Sequence, residues 1–225
     1  MGKIIKVRKK KKTLRYLKKN GIRQAYYAMM ERVKTEATDD YTYEPLSNLE
    51  LMEQIEEGKR FHTKFSVLVP TFETKEVYLR AMIESVLDQT YGNFELILAD
   101  ASATDVVEQV VKGYTDPRII YKRLKVNAGI SANTNQALMY ATGDYAGLLD
   151  HDDVLTPDAL YEMACCIDAY EKQDIQLQLL YSNEDKCDGA QSRYYEVNKK
   201  PKFNLDLILS NNYICHFTTI RKSKV

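Results

Sequence analysis

Residues 65–100 read FSVLVPTFETKEVYLRAMIESVLDQTYGNFELILAD, and the change of texture inside this stretch sets the fold class. Phe65-Ser-Val-Leu-Val69 is a short apolar run stopped by Pro70, which reads as a buried strand. Leu79, Met82, Ile83, Val86 and Leu87 then recur at the spacing of one helix face. Phe94-Glu-Leu-Ile-Leu-Ala99 returns to strand and ends on Asp100. The alternation continues outward. Thr104-Asp105 opens a helix, 118–124 reads as strand, 131–141 as helix and 144–149 as strand. Thr156-Pro157-Asp158 starts a helix to about Tyr170, with a capping hydroxyl and Pro at its first position, and 177–182 is a further strand. Strands alternating with helices predict an α/β fold with a mainly parallel sheet covered on both faces.

Upstream, residues 1–60 read as a basic helical extension and connector. Leu14, Leu17, Ile22, Ala25, Tyr26, Met29 and Met30 recur at roughly helical intervals, and Asn20-Gly21 is a break. Ser47 or Asn48 caps a second helix through Leu49, Met52 and Ile55, ending near Gly58. The expected division is 1–60 as this extension and 61–225 as the catalytic-type domain.

Composition bounds the function. The 225 residues are 44% hydrophobic and 28% charged, ordinary for a folded domain, with a formal net charge of zero. That charge is uneven, because Lys and Arg crowd the first 34 residues against Glu31 alone. Such a head suits an anionic surface, or simply keeps the chain soluble. Aromatic stacking residues do not interleave with the lysines, so no nucleic-acid partner is expected. No run approaches the roughly 18 apolar residues that cross a bilayer, and no apolar segment follows the N-terminal charges as in a secretory signal. Cys165, Cys166, Cys187 and Cys215 lack metal-ligand or disulfide spacing. Reduced thiols and a cytoplasmic protein are expected.

The chemistry gathers at strand ends. The first strand delivers Pro70, Thr71 and Glu73; the second delivers Asp100, Ser102 and Thr104; the fourth delivers Asp150, His151, Asp152 and Asp153. In a parallel sheet these ends share one edge, where open α/β proteins bind ligands. Carboxylates so close together repel unless a cation or solvent relieves them, and hard oxygen donors suit Mg²⁺ or Mn²⁺. The chain has neither G-x-G-x-x-G nor G-x-x-x-x-G-K-[ST], which argues against the usual dinucleotide site and the P-loop. A diphosphate bound without a glycine cradle needs a cation.

Five blocks carry a resemblance: Phe65-Ser-Val-Leu-Val-Pro-Thr-Phe-Glu73, Glu84-Ser-Val-Leu-Asp-Gln-Thr-Tyr91, Leu98-Ala-Asp-Ala-Ser102, Asn127-Ala-Gly-Ile-Ser131 and Leu148-Leu-Asp-His-Asp-Asp-Val-Leu155. In this order and spacing the chain resembles a family 2 glycosyltransferase with the GT-A fold. It is closest to the rhamnosyltransferase-like enzymes of O-antigen and cell-surface polysaccharide assembly. Tyr181-Ser-Asn-Glu-Asp-Lys186 also resembles a segment of that subgroup, although Asn183 departs from its pattern.

The resemblance implies a Rossmann-like GT-A sheet and a metal-dependent, inverting transfer of sugar from a nucleoside-diphosphate-sugar to a hydroxyl. The acceptor would be a saccharide or a lipid-linked saccharide. Pro70, Thr71 and Glu73 would line the nucleoside pocket and Asp100 would hold the base. Asn127, Gly129 and Asn135 would border nucleotide and sugar. Asp150 and Asp152 match the D-x-D motif, with Asp153 as a further metal ligand and His151 shaping the turn beside the donor. The metal would be Mn²⁺ or Mg²⁺. The family's general base would follow a Gly-Gly-Phe turn expected beyond Val225, so the catalytic base is unassigned and the sequence reads as C-terminally truncated. Later elements that would bury Tyr213-Ile-Cys-His-Phe217 are expected to be missing. Glu184 and Asp185 would shape the acceptor side. The alternative is a non-catalytic homologue that holds nucleotide-sugar. A nucleotidyltransferase ranks last, because Pro-Thr-Phe-Glu replaces the glycine-rich basic loop it needs. A peripheral position at the inner membrane face, through the basic head, completes the expectation.

Overall fold

The computed structural model describes residues 42–224; the reading of Leu14–Met30 and of the basic head falls outside them. The chain divides into two compact units. One comprises Glu44–Glu184 with Asn198–Val225, and the other Asp185–Val197 with the residues before Glu44.

The larger unit opens with α1 (Asn48–Gly58), whose first turn is closed by a capping box between Ser47 and Glu50. The alternation then runs β1 (Phe65–Thr71), α2 (Glu76–Leu87), β2 (Phe94–Asp100), α3 (Val106–Lys112), β3 (Ile119–Arg123), α4 (Ile130–Leu138), β4 (Tyr145–Leu148), α5 (Ala159–Glu171) and β5 (Leu179–Tyr181). After β6 (Glu184–Cys187) and β7 (Tyr194–Asn198) come α6 (Leu205–Ser210) and β8 (Thr218–Arg221).

Six strands make one sheet in the order β3-β2-β1-β4-β8-β5. The pairs β3-β2, β2-β1 and β1-β4 are parallel, whereas β8 runs antiparallel to both β4 and β5. The α/β expectation with a mainly parallel sheet therefore holds. The order reverses between β1 and β4, and a crevice opens at such a switch point, outside the carboxyl ends of the strands.

Alternation along the strands divides the core. Phe65, Val67, Val69, Leu96 and Leu98 meet Leu79, Met82, Ile83 and Val86 of α2, Val107 and Val110 of α3, and Leu160, Ala164 and Ile167 of α5. Leu68, Ile97 and Ala99 meet Ala137 beneath α4 on the other face, with Ala141 and Ala146. Both β1 and β2 are buried over their full length, as strands covered on both faces must be.

Pro70 does not stop β1 as its sequence suggests. Leu68 accepts from the Leu149 N–H, so Pro70, two residues on, faces the same side of the strand. Pairing with β4 ends at Leu68↔Leu148, so no ladder bond is lost there. The helix expected from Thr156 begins at Ala159 instead, with Asp158 at its N-cap. The Thr156 carbonyl accepts from Gln89 Nε2 at 2.7 Å and the Pro157 carbonyl from the Thr90 N–H at 2.8 Å, which holds both residues in the preceding loop.

The Tyr213–Phe217 expectation needs correction at its two ends, while 214–216 remain half-buried. Tyr213 is 7% and Phe217 4% exposed. Antiparallel β8 covers the edge of β4, and Tyr213 packs edge-on against Tyr181 at 5.7 Å between centroids.

The smaller unit contains most of a two-stranded ladder of β6 and β7. Asp188 accepts from the Ser192 N–H and hydroxyl at 2.7 and 2.8 Å, fixing the connecting turn. Lys186 pairs with Glu196 across the ladder.

Candidate functional site

Register brings the first two strand ends together, since Thr71 lies opposite Asp100. Asp100 is fully buried. Its Oδ1 accepts from the Ser102 N–H at 2.9 Å and the Thr71 hydroxyl at 3.3 Å. Its Oδ2 accepts from the Tyr121 hydroxyl at 2.8 Å and Arg123 Nη1 at 3.1 Å. Burial of a carboxylate on this scale requires such pairing. Tyr121 and Arg123 were not singled out from sequence. Both lie on β3, whose Arg123 is in register with Asp100, so only the strand pairing reveals them. Burial pushes the Tyr121 hydroxyl up to about 12, and its bond to Asp100 acts in the same direction.

Glu73 ties the loops after β1 and β2. Its carboxylate accepts from the Ala103 N–H at 2.8 Å and the Thr104 hydroxyl at 2.9 Å, and its own N–H donates to Ser102 Oγ at 2.8 Å. The Ala103 N–H, with the Thr104 hydroxyl behind it, holds Glu73 below the usual carboxylate range. Glu73 sits at φ 48°, a left-handed backbone uncommon outside glycine.

The loop before α4 is built from amides. Asn127 Oδ1 accepts from the Gly129 N–H at 3.1 Å and from Asn133 Nδ2 at 3.0 Å, while Gly129 supplies φ 90° at the N-cap. Asn133, buried and absent from the sequence reading, braces this loop. Asn135 lies on the exposed side of α4.

The acidic tip follows β4. Leu149 bonds back to Leu68, and the Asp153 N–H donates to the Asp150 carbonyl at 3.3 Å, closing a turn over 150–153. A turn draws residues i and i+3 together. The carboxylates of Asp150 and Asp153 accordingly converge, and the Asp152 side chain is 58% exposed, 3.8 Å from His151 Nδ1. His151 Nδ1 is itself buried without a hydrogen-bond partner.

A histidine from far along the chain completes the cluster. His216, just before β8, places Nδ1 3.4 Å from Asp153 Oδ2 and 4.0 Å from Asp150 Oδ2. Donor atoms of Asp150, Asp153 and His216 all lie within 4.8 Å of one another, the one such group among the described residues. Burial raises the Asp153 carboxyl above its ordinary value, and the charges of Asp150, Asp152 and Glu184 add to this against His216. Crowded carboxylates beside an imidazole are a donor set that fits a divalent cation.

Of the acceptor-side candidates, Glu184 accepts from Asn198 Nδ2 at 2.8 Å and lies 3.5 Å from Lys200 Nζ. Asp185 belongs to the smaller unit.

Comparison with known proteins bears on the family of the chain. The family model described as Glycosyl transferase family 2 matches residues 66–225. The uncharacterized protein y4gI of Sinorhizobium fredii is 40% identical over 154 residues, covering 67% of this chain and 16% of that protein. The O-antigen biosynthesis protein RfbC of Myxococcus xanthus is 30% identical over 160 residues, covering 70% and 12%. The crystal structure of S. aureus TarS 1-349 shares 29% identity with a TM-score of 0.45, over 48% of this chain and 33% of that one. The chain spans less than half the length of the curated relatives it matches. With a matching model over most of its length, on a sheet whose switch point carries the expected acidic turn, the chain belongs to glycosyl transferase family 2.

Proposed function

We propose that this chain provides the donor half of a metal-dependent, inverting glycosyltransferase, which moves a sugar from a nucleoside-diphosphate-sugar to a hydroxyl acceptor in cell-surface polysaccharide synthesis. The observation that carries the proposal is the convergence of Asp150, Asp153 and His216 at the same sheet edge as the Thr71–Asp100 pair. Family membership and the name of the O-antigen relative support the reaction class and its setting.

In this reading the nucleoside lies over the ends of β1 and β2. Asp100, with Arg123 beside it, faces the base, and Pro70, Thr71 and the Glu73-braced loop form the floor. The amide-locked loop at Asn127 and Gly129, with Asn135 on α4, borders the diphosphate and sugar. Asp150 and Asp153 hold the cation, Mn²⁺ or Mg²⁺, and Asp152 is left to the solvent-facing, donor side of the turn. A cation there offsets the negative charge of the diphosphate leaving group. The acceptor hydroxyl needs a base. Glu184 is poorly placed for that task, because its oxygens face Asn198 and Lys200; it shapes the acceptor side instead. That engagement also favours, for this chain by itself, the second reading: donor binding without turnover.

Calorimetry with a panel of UDP-, dTDP- and GDP-sugars tests the proposal. Donor binding is expected with Mn²⁺ and lost with a chelator or in Asp150→Asn. Equal binding of every donor with and without metal would overturn it.

A further inference from the structure

Resting on that reading, we infer that His216 is a third protein ligand of the cation, so that the centre is a two-carboxylate, one-imidazole site selective for Mn²⁺ over Mg²⁺. The two separations measured from the imidazole fit a shared ion. Two donors bound to one ion at about 2.1 Å stand between about 3 Å apart when adjacent and about 4.2 Å when opposite. Nδ1 of His216 lies 3.4 and 4.0 Å from the two carboxylate oxygens, inside that range.

The backbone around His216 is held as a ligand's backbone should be. Ser182 grips Phe217 on both sides: its N–H donates to the Phe217 carbonyl at 3.1 Å, and its Oγ accepts from the Phe217 N–H at 3.0 Å. Lys200, with its side chain 1% exposed, donates to the carbonyls of Cys215 and His216. The Phe217 ring seats against Gly147, where a Cβ would come within 2.4 Å of Cζ. Gly147 is three residues before Asp150, so one contact ties the imidazole to the strand that delivers the carboxylates. His216 itself sits at φ 56°, a left-handed backbone that non-glycine residues adopt where surroundings impose it.

Selectivity follows from donor chemistry. Mg²⁺ prefers oxygen and keeps its waters, whereas imidazole favours transition metals. The sequence has three histidines, His62, His151 and His216, and His151 sits on the acidic turn, so it is the control.

The experiment titrates the full chain with Mn²⁺ alone, followed by calorimetry and by pulsed paramagnetic resonance for nitrogen coupling. The wild type is expected to show one coupled ¹⁴N and to bind Mn²⁺ at least tenfold more tightly than Mg²⁺. His216→Ala and His216→Gln, each checked by thermal melting, should lose the coupling and most of the preference, while His151→Ala keeps both. Mn²⁺ bound without nitrogen coupling, or coupling lost in His151→Ala and kept in His216→Ala, overturns the assignment of His216 but leaves the carboxylate site standing. Absence of any Mn²⁺ binding sensitive to Asp150→Asn overturns the donor-site reading and the inference with it.

Discussion

Glu95 shows how much one side chain can hold. It is 5% exposed on β2, at the edge of the sheet opposite the acidic tip. Burial would raise its carboxyl, but the Ser66 hydroxyl at 2.6 Å, the Thr142 N–H at 2.6 Å, and then Lys64 and the Thr142 hydroxyl, outweigh it and lower the value to about 2. A depressed carboxylate stabilises the folded state above its unfolded value, near 4.5, and that contribution fades as pH falls toward 2. The gap corresponds to roughly 3 kcal/mol. Glu95→Gln should therefore unfold more readily at pH 7 in urea, and its deficit relative to wild type should shrink between pH 4.5 and 2. A deficit independent of pH would show that charge plays no part. None of this was legible in sequence, where Glu95 is one polar residue inside an apolar run. Its partners come from positions 64, 66 and 142, which only the β1-β2 register and the turn before β4 bring together.

At the scale of elements, helix and strand alternation was readable because burial imposes periodicity. Of the two candidate caps, Ser47 and Asn48, the structure uses Ser47, and the α2 stripe appears where its spacing places it. The elements after Tyr181 were not readable. Thr218–Arg221 is four residues with no apolar run, and it becomes a strand by pairing between β4 and β5. The same blindness hid His216 and the Tyr121–Arg123 pair, both contributed by strand neighbours. The acidic turn, by contrast, was legible, and its i to i+3 bond gathers Asp150 with Asp153, both named from sequence, while Asp152 stays exposed. The β4–β8 contact can be tested at Gly147. A methyl there meets the Phe217 ring, and overpacking of this kind costs about 1–3 kcal/mol. Gly147→Ala should lower the melting temperature and also weaken Mn²⁺ binding, and adding Phe217→Leu should restore part of both. Loss of stability with unchanged metal affinity would separate the packing from the ligand.

For the whole molecule, donor and cation should act as one ligand of the folded state. Anything that binds the native form alone stabilises it by mass action, about 2.7 kcal/mol at a hundredfold excess over Kd. For a chain of this size that corresponds to a rise of about 5–10 °C in Tm. The rise should need metal and nucleotide-sugar together and disappear in Asp153→Asn. A shift with nucleotide-sugar alone, equal with and without metal, would contradict the coupling. The sheet that makes this linkage was foreseen as α/β; its antiparallel closing strand was not.

That closing strand also dictates a timetable. Synthesis proceeds from the N-terminus, so β1 to β4 leave the ribosome well before His216 and β8 do. A nascent chain that has assembled its parallel core still lacks His216 beside Asp150 and Asp153. If His216 ligates the cation as proposed, full metal affinity waits until β8 pairs with β4.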